Sequence, residues 1–80
     1  MPRFYISFQT TKGLQKDDDG LDLPGLEEAR ATAIVSAREI LADEIKHSTD
    51  QPIVAVVITN EHGQELARIP AKDVLPEPLR

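Results

Sequence analysis

The chain has 80 residues and a mass of 8.8 kDa, no cysteine, a formal charge of −5 and a pI near 4.8. A single domain of this size buries only about 60% of its unfolded surface, and without thiols it can form no disulfide, thiolate nucleophile or Cys-held metal centre. The acidic balance opposes phosphate backbones and anionic lipid, so general nucleic-acid and membrane-surface binding are disfavoured.

Leu, Ile, Val and Phe make up 22 of the 80 residues, above the roughly 20% below which chains tend to stay disordered. The chain is therefore expected to fold, as one domain over residues 1–75 with a flexible tail at 76–80. Phe4, Ile6 and Phe8 alternate with Tyr5, Ser7 and Gln9, which predicts a strand over residues 3–10 with one buried face. The opening segment turns polar at Gln9, where a signal peptide would need an apolar stretch of about 7 to 15 residues. Residues 11–20 carry Gly13, Lys16 and Asp17-Asp18-Asp19-Gly20, turn formers that predict a loop. Leu21 and Leu23 flank Asp22 before Pro24, as in a short edge strand over 21–23.

From Leu26 the period changes. Leu26, Ala29, Ala33, Ala37, Ile40, Leu41 and Ile45 fall at spacings of three and four, with Ile34 widening the stripe, which predicts a helix over 26–47. Gly25 takes the N-cap position, with Glu28 placed to reach back to it; Glu27 and Glu28 suit the positive end, Lys46 and His47 the negative one. Ile53 to Thr59 is β-branched apart from Ala55 and predicts a strand. Its longest apolar run, Ile53 to Ile58, is far short of the ~20 residues that cross a bilayer. A hairpin through Asn60-Glu61-His62-Gly63 leads to a last strand over 64–69. A two-residue turn at His62-Gly63 would set Ile58 opposite Ala67; a three-residue loop from Glu61 with a bulge would set it opposite Leu66. Residues 71–75 could add one helical turn before Pro76.

The fold class expected is α+β, with order β-β-α-β-β and one long helix on one face of a four-stranded, mainly antiparallel sheet. The preferred strand order is 21–23, 3–10, 53–59, 64–69 (2-1-3-4); sequential order is the alternative.

Met1-Pro2-Arg3-Phe4-Tyr5, Asp19-Gly20-Leu21-Asp22-Leu23-Pro24, Leu26-Glu27-Glu28-Ala29-Arg30 and Asn60-Glu61-His62-Gly63 together resemble a family of short alphaproteobacterial proteins catalogued as a domain of unknown function. The resemblance implies a small bacterial cytoplasmic protein. It supplies no activity, cofactor or catalytic residue. Members often carry Asp where Gly25 stands, which implies a weaker helix cap here, by a few tenths of a kcal/mol.

Four constellations bear on chemistry. Asp17, Asp18, Asp19 and Asp22 offer hard oxygen ligands for Ca²⁺ or Mg²⁺, yet no register places both the Gly and the Glu of an EF-hand loop, and a solvated turn guarding an edge strand is the plainer reading. His47 and His62 stand fifteen residues apart, without metal-ligand spacing, and read as a helix-end cation and an exposed turn residue. Ser7, Ser36 and Ser48 lie in no nucleophile elbow, and there is no phosphate-binding glycine loop. Finally, the strand over 53–59 is apolar on both faces: beside Val54, Val56 and Ile58, a second set of Ile53, Ala55 and Val57 is left over. With Tyr5, and by register Ala67 and Ile69 or Leu66, it would form an exposed apolar patch of the kind that marks interfaces, unless Val74-Leu75-Pro76 folds back over it.

The expectation is accordingly a non-enzymatic cytoplasmic module without cofactor or bound metal. It would dock a protein partner or a second copy of itself on the open sheet face around Tyr5, Ile53, Ala55 and Val57, and neither nucleic acid nor membrane. The alternative is a small-ligand or divalent-metal binder using the loop 17–22.

Overall fold

The computed structural model describes residues 1–76. The elements run β1 Arg3–Thr10, β2 Gly13–Gln15, β3 Leu21–Asp22, α1 Leu26–His47, β4 Ile53–Thr59, β5 Glu65–Pro70 and α2 Ala71–Val74. The sheet has the order β2-β1-β4-β5, all antiparallel, and β3 pairs with the same edge of β1 as β2 does, at the other end. The preferred order and the α+β class hold, and the bounds of β1, α1 and β4 are those expected. Of the expected tail, residues 77–80 lie outside the described residues.

β2 is an addition. All three of its residues are exposed, so no burial pattern announces it, and the signal lies in its partner instead. Thr10, 5% exposed, donates its hydroxyl to the Gly13 carbonyl at 3.0 Å and accepts the Lys12 N–H at 3.2 Å. That closes a tight turn which folds the chain straight back along β1.

The β4–β5 hairpin combines both expected geometries. The Asn60 N–H bonds the Gln64 carbonyl, and Gly63 at φ 78° closes a three-residue loop of Glu61, His62 and Gly63. A bulge between Thr59↔Glu65 and Ile58↔Ala67 then brings Ile58 opposite Ala67. A second bulge falls between Gln9↔Ala55 and Thr10↔Ile53. The two residues these bulges set out of register, Val54 and Leu66, are exposed.

α1 lies on the face carrying Phe4, Ile6, Val56, Ile58 and Ile69, and contributes Ala29, Ala33 and Ala37, none with any exposure. Side chains this small let helix and sheet approach closely, and the Cα atoms span 36 × 27 × 16 Å. Burying Val56, Ile58 and Val74 stabilises the fold by about 1.5–3 kcal/mol each. The predicted stripe is interrupted at its ends: Leu26 is exposed, and so is Ile45, at 79%. Gly25 caps the helix with extended backbone and no side-chain hydrogen bond. At the other end Ser48, at φ 52°, returns its N–H to the Glu44 carbonyl at 2.8 Å.

α2 tucks in on the helix side. Val74 is wholly buried in the shared core, and the Arg38 Nε donates to its carbonyl at 2.8 Å. The expectation that Val74 might fold back over the open sheet face is therefore corrected: the chain turns at Pro70 toward α1. Among the described residues, no helix is long and apolar enough to cross a membrane.

Candidate functional site

The register places Tyr5, Thr59 and Glu65 in one row of the open face, Ser7, Val57 and Arg68 in the next, and Leu14, Gln9, Ala55 and Pro70 in a third. Ala55 and Val57, opposite Gln9 and Ser7, lie on the face away from the helix core, whereas the bulge sets Ile53 opposite Thr10, on the face of Phe4 and Ile6; Ile53, Ala55 and Val57 are only 5%, 7% and 4% exposed. Small residues in mid-row are flanked at about 5 Å by their cross-strand neighbours, here Gln9 and Pro70 beside Ala55, and Ser7 and Arg68 beside Val57. Arg68 on this face is held by Glu65 at 3.0 Å, and Leu14 at its β2 edge is 51% exposed. The three β4 residues expected to form an exposed apolar patch there are thus buried. Ala67 and Ile69 lie on the helix side instead.

Tyr5 is half-buried, its ring against the acidic loop. A Cβ on Gly20 would stand 2.9 Å from both Tyr5 Cε1 and Arg3 Cγ, and Gly20 has φ +74°. A cleft of about 350 Å³ opens beside Tyr5, lined also by Ser7, Lys16, Asp17, Thr59 and Asn60.

The acidic loop is built from its own backbone. β2 and β3 leave a gap along the edge of β1, and Asp17 fills it: its Oδ2 accepts the Ile6 N–H at 3.1 Å, its Oδ1 accepts the N–H groups of Asp19 and Gly20 at 3.1 and 3.2 Å, and its own N–H donates to Ser7 Oγ at 3.1 Å. Burial alone would raise the Asp17 pKa; the three backbone donors outweigh it and hold the carboxyl below the ordinary aspartate range. Arg3 closes the other end, donating to the Asp19 carbonyl at 2.7 Å and pairing with Asp22 at 3.1 Å. Asp17 and Asp22 are thus engaged within the loop. Among the described residues no three His, Asp or Glu side chains are placed to hold a metal ion. His62 is exposed in the hairpin loop, and His47 lies 3.7 Å from Asp43, one helical turn back.

A different feature emerges along α1. Ser36, Glu39, Ile40, Asp43 and His47 follow one another at spacings of three, one, three and four, so they share one flank of the helix. Toward β1 this flank bounds a cleft of about 410 Å³ with Ile6, Phe8 and Leu21 in its wall, and toward the helix end one of about 430 Å³ reaching Thr49. Glu39 and Ile40 line both, so the two clefts adjoin along the helix. Among the described residues no lysine or arginine lines either. Sequence reasoning passed over this flank because its residues border the apolar stripe, and only the rotation of α1 on the sheet decides which border meets β1.

Residues 3–72 match the family described as Domain of unknown function (DUF6894), and the chain belongs to that family. No curated protein and no solved structure matches it.

Proposed function

We propose that the chain is a non-catalytic cytoplasmic interaction module, and that its docking surface is the groove along α1 rather than the open sheet face. The observation that carries this reading is the pair of adjoining clefts that share Glu39 and Ile40, with half-buried Phe8 and Ile40 and exposed Leu21 along them. A partner gains free energy by covering apolar surface still in water, and Ile53, Ala55 and Val57 have almost none left to cover.

The test is site-specific photo-crosslinking in cells that make the protein. A crosslinker at Ser36 or His47 should capture a discrete protein partner, and one at Arg68 on the open face should not. Capture from Arg68 alone would return the interface to the open sheet face, a band at twice the chain mass would make it a self-association surface, and no capture from any position would end the docking reading.

A further inference from the structure

We infer that the groove along α1 takes a cationic, partly apolar segment of another protein. This rests on the docking reading above and adds the chemistry of the occupant.

Two independent properties of the groove point the same way. Its floor is apolar, formed by Phe8, Ile40 and Leu21 with Ile6 beneath. Its lining carries carboxylates and no lysine or arginine among the described residues: Asp19, Glu39 and Asp43 are exposed along it. Two cations of neighbouring segments are engaged elsewhere, Arg3 with Asp22 and Lys12 with Asp50. Among the lining residues His47 alone can become positive, and it faces Asp43; Lys46, exposed one turn after Asp43 and two after Glu39, borders the same flank. A concave surface with carboxylates on its edges concentrates negative potential, which attracts cations and repels acidic chains.

The dimensions select the size of the segment. From Ser36 to His47 the helix advances about 17 Å, the reach of roughly five residues of extended chain. Such a segment can set alternate side chains on Ile40 and Phe8 while its lysines or arginines meet Glu39, Asp43 and Asp19. An acidic segment would meet like charge on the whole rim.

The probe is a capped peptide of about six residues alternating Lys and Leu, titrated against the amide spectrum of the whole chain, with the same peptide carrying Glu for Lys as the control. The Lys peptide should shift amides in residues 6–8, 17–21 and 36–47, leave 65–68 unmoved, and weaken as salt rises. Glu39→Gln with Asp43→Gln should weaken it about tenfold, and the fold should survive, since both side chains are exposed. Equal shifts with the Glu peptide, unchanged affinity in the double variant, or shifts confined to the open face would overturn the inference. Free spermine acting as strongly as the peptide would overturn its apolar half. Crosslinking from Ser36 without any response to the Lys peptide would leave the docking reading standing and remove the cationic partner; failure of both would remove both.

Discussion

Both carboxylate oxygens of Glu44, in the last turns of α1, accept the N–H of Ile53, the first residue of β4, at 3.1 and 3.3 Å. One side chain thus ties the end of the helix to the start of the central strand across the polar connection between them. Glu44→Ala should leave the Ile53 donor without its acceptor and cost about 1–2 kcal/mol. Glu44→Gln keeps one acceptor oxygen and should cost much less. Urea unfolding of the two variants distinguishes a hydrogen-bond role from a purely electrostatic one; equal losses would contradict the tie.

Asp17 gives the fold a defined acid response. Its carboxyl titrates lower in the folded chain than in the unfolded one, so its contribution is complete above the unfolded value near 3.9 and is lost as pH falls through the folded value. Asp17→Asn keeps an oxygen for the Asp19 and Gly20 donors but loses the anion and one of its two acceptor oxygens. It should cost about 1–3 kcal/mol at neutral pH. Thermal melts at stepped pH should show the gap between wild type and variant closing below about pH 4. A gap that stays constant to pH 2 would mean that the charge of Asp17 is not what holds the Ile6 edge.

Gly20 and Gly63 share a positive φ, +74° and +78°, but differ in surroundings. Nothing lies within 4 Å of a Cβ at Gly63, whereas at Gly20 the ring of Tyr5 and the stem of Arg3 are in the way. Asn tolerates the left-handed region, so Gly63→Asn should change stability by less than about 1 kcal/mol. Gly20→Asn should lose clearly more and displace Tyr5, visible in the aromatic region of the proton spectrum. Equal stabilities would refute the close packing of Tyr5 on the loop.

Ala33 has no exposure, in the middle of the contact between α1 and the sheet. Ala33→Leu inserts three carbons where the backbones already approach closely and should destabilise by about 1–3 kcal/mol. Val35→Leu, on the exposed face of the same helix, is the control and should stay within about 0.5 kcal/mol. A neutral Ala33→Leu would mean that the helix can ride higher on the sheet.

The elements that were legible in the sequence are those whose burial repeats with a fixed period. Phe4, Ile6 and Phe8 mark β1 by alternation; the alanines from Ala29 to Ala37 mark α1 by their spacing of four; β4 is marked by its β-branched run. β2 has no such mark, because its residues are exposed and only the Thr10 hydroxyl holds its turn. The hairpin register escaped prediction because a loop of one length and a bulge offset one another, leaving Ile58 opposite Ala67 by a route that local turn chemistry does not specify. The burial of the residues expected to be exposed on the open face has a similar origin. Period-2 patterning places Ala55 and Val57 on the face away from the helix, but the bulge sets Ile53 opposite Thr10 on the other, and exposure depends on cross-strand neighbours that follow from register. Asp17 read as a loop carboxylate; its bond to Ile6 joins residues eleven apart, beyond any local pattern.

The contact of α1 with the sheet through alanines has a consequence for how such a molecule can be recognised at all. At 16 Å through its shortest dimension, the protein is a plate, one helix and one sheet thick. Its interior has no depth in which to enclose a guest, so selectivity must be written in shallow relief, in the ridges that side chains raise and the furrows between them. A second protein laid along α1 would add the third layer that the plate lacks, and the bound pair would hold more core than the chain can assemble alone.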